Sequence, residues 1–319
     1  RGRHAAFVAP DATYLRLQMS AVPHTHSVGF VAVALWLLCA GCQPESWSLG
    51  DPEVMRISAY ELTTTPEQGT AAHKVEEVWV YSSTDVLGVY PLPATVALPA
   101  GEAQTVTLVP GIRANGVSAT RRVYPFYDVE RVSLDGNPST QMDVAFGGGY
   151  IDGEGQTTKV ILAEDFESAN RFLESSNSNA EVFRVTNPDQ VFEGAASGYI
   201  RLDESSTQLN AATHEQFYDL PRDRPVYLEF HYKCDVAFAV GLEVFGGSQS
   251  GRLPILVLNP TCEDGESCVW NKIYLDLYPA LSSMPDAGSF EIGLNATIPA
   301  DGTVGNIWLD NFKFVHFDD

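Results

Sequence analysis

Alternation of apolar and polar residues in the second half of the chain constrains its fold more than any other feature. Residues 226–232 and 236–244 carry an apolar side chain at nearly every second position, and shorter runs repeat the pattern up to residue 296. Successive side chains of a β-strand point to opposite faces, so each run predicts a strand with one apolar face. Glycine and proline are frequent and long helical periodicity is absent. The sequence therefore predicts an all-β protein.

The same alternation separates the predicted core from the opposite strand faces. The predicted core residues are Val226, Leu228, Phe230, Tyr232, Val236, Phe238, Val240, Leu242, Val244, Ile273, Leu275, Leu277, Phe290, Ile292 and Leu294. If these strands share one sheet, the opposite faces form a shallow groove in which small residues lie beside aromatic and charged ones. Sugars bind such grooves because their C–H faces stack on aromatic rings while polar groups hydrogen-bond the hydroxyls. The candidate ligand residues are Trp270, Tyr274 and Tyr227 as an aromatic platform, with Glu229, His231, Lys233, Glu291 and Asn295 as polar partners. The alternative is a face that is merely solvated, or covered by the first half of the chain.

A short apolar run, residues 28–38, leads into Cys39-Ala40-Gly41-Cys42 near the start of the chain. A run of this length cannot cross a hydrocarbon core, which needs about 20 helical residues. It is typical of the apolar helix of a signal peptide. The Ala40-Gly41-Cys42 ending resembles the lipobox of bacterial lipoproteins. The resemblance implies cleavage before Cys42, lipidation of that cysteine and attachment to a membrane. Because Gln43 follows the cysteine, we expect the outer membrane. The alternatives to a lipoprotein signal are an ordinary secretory signal or a buried helix near the start of the chain.

The charge of the chain limits the classes of partner that it can bind, and its length indicates how many domains it forms. The formal net charge is −22 over 319 residues, so the surface repels phosphate backbones and nucleic acid is not an expected partner. We interpret residues 1–42 as an upstream extension and signal peptide. Two β-sandwich domains follow, at residues 43–160 and 163–319.

Turn motifs characterise the first predicted domain. Residues 88–95 read G-V-Y-P-L-P-A-T, residues 98–102 read L-P-A-G-E, and the next alternating run ends in Pro110-Gly111. This succession resembles PEGA-type and carboxypeptidase regulatory-like modules, which implies a small β-sandwich that serves as a spacer or binding module. The run at residues 121–127, Arg-Arg-Val-Tyr-Pro-Phe-Tyr, is either a ligand patch or a proline-bent strand whose aromatic residues fill a core.

Three short motifs characterise the second predicted domain: D-F-E at residues 165–167, W-N-K-I-Y-L-D-L at 270–277 and I-W-L-D-N-F-K-F at 307–314. Together they resemble the jelly-roll sandwiches of the galactose-binding-like and carbohydrate-binding-module class. The resemblance implies a polysaccharide ligand. It also implies a structural calcium held by Glu167 and Asp310, although calcium requires six to eight oxygen ligands. The alternative role for these two carboxylates is a hydrogen-bonded cap that joins the ends of the domain.

The spacing of two cysteines predicts a disulfide, as expected for a protein in an oxidising cell envelope. Cys262 and Cys268 bracket a short polar loop, and we expect a disulfide between them. Cys234 is left unpaired. A zinc site would require two further ligands nearby, and the sequence shows none.

The sequence contains no catalytic motif. His214-Glu215 lacks the second histidine of a zinc protease, and no G-x-S-x-G elbow is present. We therefore predict a non-catalytic envelope lipoprotein that binds glycan through its jelly roll. One alternative is a structural or protein-interaction subunit of the envelope. A second alternative is a glycoside hydrolase, which would gather two carboxylates in a cleft.

Overall fold

The described part of the chain covers residues 51–99, 101, 103–137, 140–153, 155–248, 250–262 and 267–318 of a computed structural model. The predicted signal helix and Cys42 lie outside these residues. Within the described ranges, no helix is both long enough and apolar enough to cross a membrane.

The described residues are organised almost entirely as strands. The strands are β1 (Glu53–Leu62), β2 (Glu77–Tyr81), β3 (Val86–Pro91), β4 (Ala94–Leu98), β5 (Gln104–Arg113), β6 (Arg121–Val123), β7 (Glu130–Leu134), β8 (Gln141–Gly148), β9 (Asp152–Gly153), β10 (Gln156–Glu164), β11 (Phe172–Glu174), β12 (Val182–Val185), β13 (Ser197–Leu202), β14 (Gln208–Thr213), β15 (Val226–Cys234), β16 (Phe238–Phe245), β17 (Gly251–Leu258), β18 (Asn271–Asp276), β19 (Ser289–Thr297) and β20 (Gly305–Phe317). A short helix, α1 (Tyr278–Ser282), follows β18. Single 3₁₀ turns lie at Pro66–Gln68, Ala114–Gly116 and Pro188–Gln190.

The first sandwich consists of β1 to β8. One sheet has the strand order β4-β1-β8, and the other has the order β3-β2-β5-β6, with β7 also paired to β5. The pairing of β1 with β8 is parallel and the others are antiparallel. Apolar side chains from both sheets form its core.

The second sandwich consists of β9 to β20. Its longest strand, β20, pairs with β15 along one edge and with β13 and β10 along the other, and β15 pairs with β18. The facing sheet has the order β11-β14-β19-β16-β17. The residues predicted from the alternation as its core are all buried. The predicted all-β class with two β-sandwiches is therefore confirmed.

The two sandwiches belong to one compact unit. The boundary expected at residues 160–163 falls inside β10, and this strand pairs with β20 of the second sandwich. The core of the first sandwich continues onto side chains of the second, including Tyr227, Tyr274, Val315 and Phe317.

The aromatic run at residues 121–127 belongs to this shared core. Only Arg121–Val123 form a strand, while Tyr124, Phe126 and Tyr127 are fully buried. Phe126 packs against Phe317 with ring centroids 4.7 Å apart, and Tyr124 packs against Tyr227 at 5.4 Å. Of the two interpretations of the run, the structure therefore favours core filling.

Candidate functional site

The predicted ligand face does not form one open groove. Strands β15 and β18 belong to one sheet of the second sandwich, whereas β16 and β19 belong to the facing sheet. The outer face of β15 and β18 lies against the first sandwich, and all nine residues of β15 are buried. The premise of a shared sheet was wrong, because alternation tells which residues point outward but not which strands are neighbours.

The centre of the buried face is an ionic cluster around Glu229, which has no solvent exposure. The Lys272 Nζ atom lies 2.7 Å from Oε2 of Glu229, and the Lys313 Nζ atom lies 3.9 Å from it. The hydroxyl of Tyr124, from the first sandwich, donates a hydrogen bond to Oε1. Both ammonium groups also donate to backbone carbonyls of the first sandwich, at Ala72 and at residues 68 and 70. Glu229 therefore joins the two sandwiches and is not available to a sugar in this arrangement.

Burial and charge together set the pKa values in this cluster. Burial acts to raise the pKa of Glu229, but the charges of Lys272 and Lys313 outweigh it and hold the pKa below its ordinary value. Burial lowers the pKa of Lys313 to about 7, despite the attraction of Glu229. Burial, reinforced by the two lysines, lowers the pKa of His231 to about 2. The cluster therefore holds His231 neutral and Glu229 ionised at neutral pH.

Two more predicted ligand residues belong to the covered face. Tyr227 contacts Tyr124 and Phe126 of the first sandwich. Tyr274 is almost completely buried, and its hydroxyl accepts a hydrogen bond of 2.9 Å from the backbone N–H of Lys74. Both rings hold the sandwiches together.

Trp270 lies at the edge of the covered face and is only half-buried. Its ring contacts Phe192 at a centroid distance of 5.4 Å, and Phe192 stacks on His231 at 4.0 Å with an interplanar angle of 19°. The Lys233 Nζ atom lies 5.2 Å from the Trp270 ring centroid and 4.6 Å from that of Trp308. The sequence-predicted residues His231, Lys233 and Trp270 are thus brought together.

A cavity of about 890 Å³ opens beside Trp270, at one end of the junction between the sandwiches. We call it the Trp270 cleft. Its walls include His73, Lys74, Asn115, Phe192, His231, Asn259, Trp270, Asn271 and Tyr274. Because both sandwiches supply these walls, the cleft exists only when they are packed together.

The polar groups of the Trp270 cleft include amides, the Lys74 ammonium group and the ion pair between Arg113 and Glu76. Lys74 Nζ donates to Oδ1 of Asn271 at 2.6 Å. Asn115 Oδ1 accepts from the backbone N–H of Asp276 at 2.9 Å, which leaves its Nδ2 donor without a partner among the described residues. Asn259 is exposed at the opposite wall. An aromatic ring beside hydrogen-bonding groups can hold a sugar ring by stacking while its hydroxyls are hydrogen-bonded.

Sequence reasoning missed the contribution of the first sandwich to this cleft. His73 and Lys74 lie in a connection between strands with no pattern that marks a site. Asn115-Gly116 is a turn dipeptide, and both residues have a positive φ, at 56° and 65°. The dipeptide predicts the turn, but only the packing of the sandwiches places that turn against β18.

The last two predicted ligand residues, Glu291 and Asn295, lie on the exposed face of the other sheet. Asn295 Nδ2 donates to Oδ1 of Asn210 at 3.2 Å, and the Arg252 guanidinium binds both Glu243 and Asn210. These residues line a cleft of about 650 Å³ that is separate from the Trp270 cleft.

Two carboxylates face each other in this separate cleft. Glu243 on β16 is directly opposite Glu291 on β19. Burial raises the pKa of Glu291, and the neighbouring Glu243 adds to the shift. The structure thus provides the pair of carboxylates that the hydrolase hypothesis requires, although Arg252 holds one of them in an ion pair.

Glu167 and Asp310, the predicted calcium ligands, are both occupied by protein donors. Glu167 accepts hydrogen bonds from the backbone N–H groups of Ala195 and Ala196, at 2.9 and 3.4 Å. Asp310 accepts from the Ser197 hydroxyl at 2.6 Å and from its neighbouring backbone N–H at 2.8 Å.

The surroundings of Glu167 and Asp310 do not complete a calcium site. The Arg184 guanidinium donates to the carbonyl oxygens of Phe166 and Glu167, at 2.6 and 2.8 Å. In the described ranges, no three histidine, cysteine, aspartate or glutamate side chains converge as a metal site would require. The donor set fits a hydrogen-bonded cap better than a calcium site, and calcium binding stays a prediction.

A disulfide joins Cys262 and Cys268, the pairing expected from the sequence, with Cα atoms 4.0 Å apart. The neighbouring residues Thr261 and Val269 line the Trp270 cleft. Cys234 is free and buried, and burial raises the pKa of its thiol to about 12.

Comparison with known proteins gives structural similarity without sequence similarity. No family model matches the chain, and no curated protein matches it. One similar solved structure comes from a study of carbohydrate-binding modules of the β-sandwich superfamily. It is 13% identical and covers 76% of this chain and 84% of that chain, with a TM-score of 0.37.

Two further structures are similar in part. TmCBM61 in complex with β-1,4-galactotriose is 14% identical and covers 47% of this chain and 92% of that one, with a TM-score of 0.32. The enzymatically active domain of tailspike protein 4 from bacteriophage CBA120 is 14% identical and covers 47% of this chain but 20% of that one, with a TM-score of 0.34. These values are too low to support an inference about ligand or activity.

Proposed function

We propose that this protein binds glycan without catalysis, and that the Trp270 cleft is the binding site. One observation carries the proposal: a half-buried indole lies in a cavity of about 890 Å³ beside amide and ammonium side chains. Trp270 supplies the stacking surface. Asn115, Asn259 and Lys74 supply hydrogen-bonding groups for sugar hydroxyls. The chain's formal charge of −22 favours a neutral glycan over an acidic one.

A glycan-array screen with the full chain tests this function, run beside Trp270→Ala and Trp270→Phe and with calcium present or chelated. We expect binding to a neutral oligosaccharide that weakens in Trp270→Ala and is largely kept in Trp270→Phe. Phe183→Ala is the matched control, because this exposed aromatic lies on β12, away from the cleft. Absence of binding, or binding that Trp270→Ala leaves unchanged, would overturn the proposal.

We further propose that Cys42 anchors the protein to the outer membrane of a Gram-negative bacterium. The support is the lipobox-like ending of an apolar run too short to span a bilayer. Acyl chains on one cysteine would give stable attachment without a membrane-spanning helix. Metabolic labelling with a palmitate analogue should mark the wild-type protein and not Cys42→Ser, and membrane fractionation should follow the label.

Hydrolysis is a second candidate function, supported by the cross-strand pair Glu243 and Glu291 in the cleft on the other sheet. The raised pKa of Glu291 suits a general acid. Polysaccharide turnover that is lost in Glu291→Gln but kept in Trp270→Ala would favour this function over pure binding.

The structural-subunit hypothesis would gain support if crosslinking captured a defined envelope protein and no glycan bound.

A further inference from the structure

A second cavity, of about 470 Å³, lies at the end of the junction opposite the Trp270 cleft. We call it the Trp79 cleft, and its walls include Trp79, Tyr81, Arg122, Tyr227, Asp276 and Tyr278. Strand β18 connects the two clefts, with Asn271 at one and Asp276 at the other. At about 3.4 Å per residue, they are about 17 Å apart along this strand.

Two aromatic rings form one wall of the Trp79 cleft. Trp79 and Tyr81 project from the same face of β2, with centroids 6.5 Å apart and ring planes inclined by only 15°. Both are partly exposed. Tyr278 adds a third ring from the second sandwich and is 40% exposed. The wall is therefore an aromatic surface that faces open space.

A glycine lets the indole of Trp79 lie against the sheet. A Cβ atom at Gly111 would lie 2.8 Å from the Cδ1 and Nε1 atoms of Trp79, which is closer than real contacts allow. With glycine on the neighbouring strand β5, the ring rests on the backbone. The indole is thus supported from behind and held in one orientation.

The polar groups around these rings are of opposite charge. The Arg122 side chain is exposed and has no hydrogen bond or ion pair with any described residue. Asp276 accepts a hydrogen bond of 3.1 Å from the backbone N–H of Tyr278. Arg121 is neutralised by Glu77, with an N–O distance of 2.5 Å. The cleft therefore offers both donors and acceptors at no net charge, in a chain whose overall charge repels polyanions.

We infer that the Trp79 cleft is a second binding site, for a neutral saccharide unit. The sugar ring stacks on Trp79 and Tyr81, Arg122 donates to its hydroxyls, and Asp276 accepts from them. The inference rests on the proposed glycan-binding function but concerns separate residues. A polysaccharide long enough to pass over the surface from one end of the junction to the other can engage both sites, which raises its avidity above that of a short oligosaccharide.

Calorimetric titration of the full chain tests the second site. The probes are neutral oligosaccharides of the gluco, manno, galacto and xylo series, their parent polysaccharides, and polygalacturonate as the anionic counterpart. We expect two sites per chain for the oligosaccharide that binds. Trp79→Ala should remove one site and Trp270→Ala the other, and each should weaken polysaccharide binding by about tenfold or more. Phe183→Ala should change neither site.

Each outcome separates this inference from the proposed function. A single site that Trp270→Ala removes and Trp79→Ala leaves unchanged would overturn the inference and keep the function. A single site removed only by Trp79→Ala would keep the inference and overturn the Trp270 site. Polygalacturonate binding that Arg122→Ala abolishes would overturn the assignment to neutral sugar. If Trp79→Ala does not fold, Tyr81→Ala replaces it, because Tyr81 is partly exposed at the last position of β2. An unchanged second site in that variant would also overturn the inference.

Discussion

The hydroxyl of Tyr124, in the first sandwich, donates a hydrogen bond to the carboxylate of Glu229 in the second, and both side chains are fully buried. The same carboxylate pairs with Lys272 at 2.7 Å. A buried charge is costly unless it is paired and hydrogen-bonded. The Glu229 carboxylate therefore contributes to the interface between the sandwiches, and its contribution can be measured.

Glu229→Gln should destabilise the protein by about 3–5 kcal/mol, because it keeps the shape but leaves the buried Lys272 charge without its partner. Tyr124→Phe should cost less, about 1–3 kcal/mol, since it removes one donor and leaves the ion pair. Urea unfolding at pH 7 measures both. The exposed Glu204→Gln is the control and should lie within about 0.5 kcal/mol of wild type. A Glu229→Gln protein as stable as that control would show that the ionic cluster does not stabilise the interface.

Acid should destabilise the protein through His231. Its folded pKa of about 2 lies below the unfolded value near 6.5, so the unfolded chain binds the proton first as the pH falls. The resulting penalty is negligible above about pH 7 and reaches about 2 kcal/mol at pH 5. His231→Phe should remove it and still stack on Phe192.

The measurement is the free energy of unfolding of wild type and His231→Phe at pH 7 and pH 5. Subtracting the free energy of one protein from that of the other cancels the pH dependence that comes from other titrating groups. When the pH is lowered from 7 to 5, we expect the free energy of unfolding of wild type to fall by about 2 kcal/mol more than that of His231→Phe. Equal slopes for wild type and His231→Phe would show that His231 does not take up a proton on unfolding in this range.

Local sequence patterns predicted which residues of each strand are buried, but not which strands pair with one another. The inward residues of β15, β16, β18 and β19 follow from alternation alone, because a strand's side-chain period is fixed by its geometry. Which strands share a sheet depends on long-range pairing, which no local pattern encodes. As a result Glu291 and Asn295 were grouped with residues that belong to the facing sheet.

The sequence left open whether the face of Glu229 and Tyr274 is exposed or covered by the first half of the chain, and could not decide for a related reason. An alternating strand with charged and aromatic residues on its outer face is typical of an open surface. Here the first sandwich covers that face and supplies its own partners, among them the Tyr124 hydroxyl and the Ala72 carbonyl. Trp270 remained accessible because it lies at the edge of the junction, so one predicted platform residue still lines a cleft.

Chelation tests the calcium prediction directly. The Arg184 guanidinium already binds the carbonyl oxygens of Phe166 and Glu167, so we expect calcium to add little. The thermal unfolding midpoint should be the same in EDTA and in millimolar calcium. A calcium-dependent rise in the midpoint that Glu167→Gln abolishes, while Glu204→Gln keeps it, would show that Glu167 does help to hold a cation.

The disulfide should affect both stability and ligand binding. It closes a loop between residues six apart in sequence, and the chain-entropy model assigns such a loop about 2 kcal/mol of stabilisation. The double substitution Cys262→Ser/Cys268→Ser should therefore lower the free energy of unfolding by about that amount. Because Thr261 and Val269 flank the bridge and line the Trp270 cleft, the same change should also weaken glycan binding there and leave the Trp79 cleft unaffected. Dithiothreitol should reproduce both effects in wild type and have no effect on the double variant. If reduction weakens binding in the double variant as well, the effect arises elsewhere than at this bridge.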